Sequence, residues 1–88
     1  MLKIQRSATG DFVLFFLSGR IQAGDAAELQ RLFDLEANKQ TLTLDLQEVK
    51  LVDREAVRFL ARCEAEGITL VHCRAYIRAW IEQEKVQP

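Results

Sequence analysis

The segment Thr41-Leu42-Thr43-Leu44-Asp45-Leu46 alternates polar and apolar residues without a break. Side chains of a strand point to opposite faces in turn, so this pattern predicts a strand with one covered face and one open face. Val49, Leu51 and Val52 then lead to Asp53, a residue suited to cap a helix. Ala56, Phe59, Leu60 and Cys63 follow at helical spacing, and the helix is expected to run to about Glu66, with Gly67 closing it in a left-handed cap. Ile68 to His72 reads as the next strand, and a last helix from about Ala75 turns Ile77, Trp80 and Ile81 inward. Strand, helix and strand in succession make a crossover unit with parallel strands, and crossovers share one hand. If each strand is added on the same side of the last, all helices lie on one face of the sheet. Strict alternation agrees with such a layout, because a sheet covered on both faces shows continuous apolar runs.

The first part of the chain adds a hairpin and a helix. Leu2-Lys3-Ile4-Gln5 alternates, Ala8-Thr9-Gly10-Asp11 is a turn cluster, and Phe12 to Leu17 is a strong aromatic and branched strand. Gly19 to Gly24 reads as a connection. Asp25-Ala26-Ala27-Glu28 resembles a capping box with Asp25 as N-cap, and Ala26, Leu29, Leu32 and Phe33 form an apolar stripe in a helix expected to reach about Asn38. The expected architecture is a single α/β domain over residues 1–88, with a mixed sheet of about four strands and helices mainly on one face. The second strand departs from the one-face rule. Val13, Phe15 and Leu17 fall on one side, and Phe12, Leu14 and Phe16 on the other. Helices on one side cover only one set, so Phe12, Leu14 and Phe16 are an expected self-association face, as in a homodimer.

Composition excludes several functions. The 12 basic and 13 acidic residues leave the chain near neutral, so it offers no general attraction for nucleic acid or anionic lipid. Residues 1–6 contain no apolar leader segment, and the longest apolar run, Phe12 to Leu17, is too short to span a bilayer; a cytoplasmic protein without membrane insertion is expected. The two cysteines, Cys63 and Cys73, are therefore expected to be reduced. One histidine and no CxxC leave no ligand set for a structural metal, and no glycine-rich phosphate loop or other cofactor motif is present. His72 and Cys73 are neighbours on a strand and so diverge, which makes a thiol enzyme or small hydrolase a poor reading.

At Asp45-Leu46-Gln47, Val49 and Asp53-Arg54-Glu55-Ala56 the chain resembles the STAS family, the domain of anti-sigma factor antagonists and of sulfate-transporter tails. Members typically show a strand ending in Asp-Leu-Ser, a hydrophobic position two residues on, then Asp-Ser-Ser-Gly opening a helix. Leu17-Ser18-Gly19-Arg20-Ile21 resembles the family's earlier strand-glycine-apolar segment, and the resemblance spans roughly residues 2 to 85. It implies a non-catalytic protein-binding module of a bacterial-type regulatory system. The implied partners are an anti-sigma or switch-type kinase, another STAS protein, or the ATPase subunit of an ABC lipid transporter, to which this chain would be an accessory. The serine that partner kinases phosphorylate corresponds to Glu55, a degenerate phosphosite with a fixed negative charge at a helix start, where the helix dipole favours it. The family often continues with another strand and helix for which little chain remains, so the last strand is expected to leave an unpaired edge.

The residues expected to contact a partner are Asp53, Arg54, Glu55, Arg58 and Arg62. The arginines lie four apart and line one stripe of the second long helix. One reading is a docking face for an acidic partner. The other is a solvated face with Glu55–Arg58 and Arg62–Glu66 pairs. On either reading, reversing Arg54 and Arg58 is expected to cost less than about 0.5 kcal/mol of stability.

Overall fold

The computed structural model describes residues 2–36 and 41–86. Their elements run β1 (Leu2–Thr9), β2 (Phe12–Ile21), α1 (Ala23–Asp34), β3 (Leu42–Val52), α2 (Arg54–Ala65), β4 (Thr69–Val71) and α3 (Ala75–Val86). The sheet is mixed and four-stranded, in the order β1-β2-β3-β4. β1 and β2 form an antiparallel hairpin that pairs Thr9 with Phe12, so Gly10 and Asp11 make a two-residue turn. Gly10 has φ +59, a conformation that such tight hairpin turns require and that glycine adopts without penalty. β2, β3 and β4 are parallel, each displaced one place from the last, with α1 and α2 as the crossovers.

The predicted α/β class, the hairpin and the helices on one face are all present. Val13, Phe15 and Leu17 of β2 and Leu42, Leu44 and Leu46 of β3 are buried in one core with Leu29 and Phe33 of α1, Phe59 and Leu60 of α2, and Ile77 and Ile81 of α3. The three phenylalanines of that core form a column. Phe15 and Phe33 are 5.2 Å apart and tilted, and Phe33 and Phe59 are 5.9 Å apart and nearly parallel. The alternate β2 residues lie on the other face, which none of the described helices covers, and Phe12 is 67% exposed there.

Several expectations change. β2 continues through the presumed connection to Ile21, because Gly19 adopts φ +100 and lets the strand shift register against β3 without ending. α1 then starts two residues before Asp25. Its N-cap is Gln22, and Asp25 sits at the third helical position, reaching back to accept a hydrogen bond from the Gln22 N–H at 3.0 Å. The capping box is real, but Asp25 is its far end. The helix ends at Asp34; the predicted end near Asn38 lies outside the described residues. β3 runs past Leu46 to Val52. Trp80 is half-buried at the margin of the core, since Ile77 and Ile81 occupy the inward stripe of α3.

Two ends are as predicted. Asp53 caps α2 by accepting from the Ala56 N–H at 2.8 Å. Gly67 closes the same helix with φ +100, while its N–H reaches the Glu64 carbonyl and that of Ile68 reaches Cys63. β4 is an edge strand of three residues and pairs only with Thr43 to Asp45. Beyond it, Arg74 donates to the Val49 carbonyl at 3.0 Å and the Tyr76 hydroxyl donates to the Lys50 carbonyl.

Candidate functional site

The parallel strands β2 and β3 end side by side at Ile21 and Val52, which pair in register. Both chains turn there into helices, α1 after Gln22 and α2 after Asp53. The Asp53 N–H also donates to the Ile21 carbonyl at 3.3 Å, which locks the two strand ends together. Between them lies a crevice of about 200 Å3 lined by Arg20, Ile21, Gln22, Leu51, Val52 and Asp53. A crevice outside the carboxyl ends of parallel strands is where open α/β sheets place their contacts with other molecules. Leu51 is 54% exposed at its rim, an apolar group held in water by its place in the strand.

Of the five sequence-predicted contact residues only Asp53 lines this crevice; Arg54, Glu55, Arg58 and Arg62 follow along α2, and they are not equivalent. Asp53 is committed to capping. Glu55 and Arg58 form the expected pair at 3.3 Å, so the carboxylate at the degenerate phosphosite already faces a guanidinium. Arg54 and Arg58 both reach across to Glu84 of α3, each with Nε 3.3 Å from the same carboxylate oxygen. The Glu84 side chain is only 7% exposed, so the two arginines are its charge partners. Reversing both would set two acids against a nearly buried carboxylate, so the cost is now expected to exceed the roughly 0.5 kcal/mol of an ordinary exposed site. Arg62 stands over the Phe59 ring at 6.0 Å, a cation–π contact at the edge of the α1–α2 groove. That groove, of about 280 Å3, is lined by Ala26, Ala27, Gln30, Glu55, Phe59 and Arg62.

Sequence reasoning missed Arg20, Gln22 and Leu51, which were read as connection or as strand interior. Leu51 stands two residues after the buried Val49, the same face in an unbroken strand, and turns outward only because β3 carries an extra residue between the pairs Gly19–Val49 and Arg20–Leu51. Glu84 was missed because its partners lie 26 and 30 residues away.

A second polar cluster lies on the opposite side of α3. Arg78 donates to both oxygens of Glu64, at 2.9 and 2.7 Å, and also reaches Glu82, while Lys85 pairs with Glu64. The hydrogen bond from Arg78 outweighs burial and holds the Glu64 carboxyl near 2, below its ordinary 4.5. These pairs fasten α3 to α2. The His72 ring meets Asp45 at 3.2 Å, and Cys63 is buried in the core. Burial pushes the Cys73 thiol above its ordinary value of 9.0 and disfavours the reactive thiolate. Among the described residues no group of three or more His, Cys, Asp or Glu side chains is placed to hold a metal ion. None of the described helices is long and apolar enough to cross a membrane.

No family model and no curated protein matches the chain. Among solved structures it is similar to the chain in "Crystal Structure Analysis of Mglu", with a TM-score of 0.61 and 28% identity over 81% of its length. It spans 20% of that chain. The likeness supports a known α/β fold.

Proposed function

We propose that this chain is a non-catalytic protein-interaction module of a bacterial-type regulatory system, acting in the cytoplasm. Its contact surface is the end of the sheet where α1 and α2 begin. The observation that carries this reading is the exposed Leu51 at the crevice outside the two strand ends, with the charged Arg20 and Asp53 lining it. An apolar centre within a charged rim is the ordinary anatomy of a protein contact. The resemblance at Asp45-Leu46-Gln47 and at Asp53-Arg54-Glu55-Ala56 points to the same helix start. It makes a kinase-like switch protein, another domain of the same family or a transporter ATPase subunit the partner classes. Glu55 cannot accept a phosphoryl group, so the contact carries a constant charge and is not switched at that position. A fold that matches one fifth of a longer chain also suits a module attached to, or recruited by, something larger.

The test is capture of a native partner, followed by titration with the purified proteins. Leu51→Asp is expected to weaken binding at least tenfold with the fold intact, since exposed substitutions change stability little. Asp11→Lys, in the hairpin turn at the far end of the sheet, is expected to leave binding unchanged. Equal affinities for wild type and Leu51→Asp would show that the partner docks elsewhere.

A further inference from the structure

We propose that the groove between α2 and α3 is a docking site for an acidic peptide segment, and that Glu84 is an internal carboxylate that occupies its cations in the free protein. This surface goes beyond the crevice contact proposed above. It lies on the two helices, and none of its lining residues lines the crevice.

The groove follows from sequence spacing. Arg58 and Arg62 are one helical turn apart on α2, and Ala61 and Ala65 repeat that spacing three residues further on, so the four share one side of the helix. Glu84 and Lys85 of α3 form the other wall, and the space between is about 420 Å3. The alanines leave it a small apolar floor. Among the described lining residues Arg58, Arg62 and Lys85 are cationic, and Glu84 is the acid. An acidic segment is the partner that such a wall complements.

Glu84 is held in the manner of a replaceable ligand. Ile81 is the last buried residue of α3, and Val86 is 81% exposed, so the last turn has no apolar anchor. Ion pairs hold it: Glu84 to Arg54 and Arg58, and Lys85 to Glu64 and Glu82. Pairs at a surface contribute little net stability, because water and other ions compete for both charges. The geometry at Glu84 is also incomplete. Both arginines approach the one oxygen Oε1 through Nε, and neither makes the two parallel bonds of a full guanidinium–carboxylate fork. Arg54 is 60% exposed and Arg58 44%, so both stay within reach of an outside carboxylate.

The neighbouring acids set the strength. Glu55 pairs with Arg58, Glu64 and Glu82 pair with Arg78 and Lys85, and Glu66 stands at the C-cap of α2, one turn beyond Arg62. With Glu84 in place the cations are largely offset, and the free protein attracts an acidic segment weakly. A tethered carboxylate competes as though present at roughly millimolar concentration, so a single outside carboxylate loses to it and a segment carrying several displaces it. Arg58 and Arg62 are separated by about 6 Å along the helix. Alternate residues of an extended segment are separated by roughly 6.6 Å, so acids at every second position match the two arginines.

Fluorescence anisotropy of the full chain with a fluorescein-labelled peptide of alternating Glu and Ser tests this at low salt. Wild type is expected to bind weakly. Glu84→Gln, which removes the internal charge and keeps the side-chain shape, is expected to bind at least tenfold tighter, and Arg58→Gln added to it is expected to cancel that gain. Glu48→Gln makes the same change of net charge on β3 and is expected to behave as wild type. Circular dichroism and Trp80 emission check that each variant keeps its fold. The probe is a synthetic peptide, so the result reads separately from capture of a native partner at the crevice. A folded Glu84→Gln that binds no tighter than wild type, or a gain matched by Glu48→Gln, would overturn the proposal.

Discussion

α2 is fastened to its two neighbouring helices by different physics. On the α1 side the seam is apolar, with Phe33 between Phe15 of the sheet and Phe59 of α2, backed by the buried Leu29. On the α3 side Ile77 and Ile81 are buried, but the rim is ionic. Glu84 is held by Arg54 and Arg58, and Glu64 by Arg78 and Lys85. Apolar burial responds little to acid or salt, whereas exposed and half-exposed ion pairs are weakened by both. The comparison teaches that α1 belongs to the permanent core, and that α3 is the helix whose docking the solvent can modulate. Trp80 is the single tryptophan and sits on α3, half-buried against the core, so its fluorescence follows the docking of that helix.

The largest effect is expected on the aromatic side. Phe33→Ala removes the middle of the three-ring column and leaves a cavity, at a cost of about 3–5 kcal/mol in urea unfolding. The loss should be the same in low and high salt; strong salt dependence would show that the α1 seam is not purely apolar.

A smaller effect follows from charge reversal on the other side. Arg54→Glu with Arg58→Glu is expected to cost about 1–2 kcal/mol, because Glu84 is left nearly buried against like charges. Adding Glu84→Gln should restore most of it. Without that rescue, the three side chains are not coupled.

The smallest effect is the acid response. The folded-state pKa of Glu64 is lowered from 4.5 to about 2, so its contribution is complete above the ordinary carboxylate range. It is lost as pH falls from about 4.5 towards 2. Screening by solvent limits the effect to about 1 kcal/mol. Trp80 emission should shift in that window in wild type and not in Arg78→Ala, while circular dichroism stays native. A shift of equal size in the variant would place the titration on another group.

Much of this architecture was legible because it is local. The Asp53 cap, the Gly67 stop and the alternation from Thr41 to Leu46 each depend on a few adjacent residues. What escaped depends on register or on distance. Gly19 reads as a turn, yet its positive φ lets β2 continue to Ile21, and that changes where α1 begins and which residues line the crevice. The arginine stripe was visible at its four-residue spacing, but its tether to Glu84 joins two helices separated by a strand. Helical spacing put Trp80 on the inward stripe, whereas the isoleucines on either side of it fill that space.

β4 pairs with only three residues of an eleven-residue neighbour. The rest of that strand would be a template on which an unfolded or misfolded chain could nucleate a cross-β fibril. Arg74 and Tyr76 occupy two of its carbonyls with side chains that cannot propagate a ladder. Arg74 of the connection and Tyr76 in the first turn of α3 thus cover part of the edge on which such pairing would start.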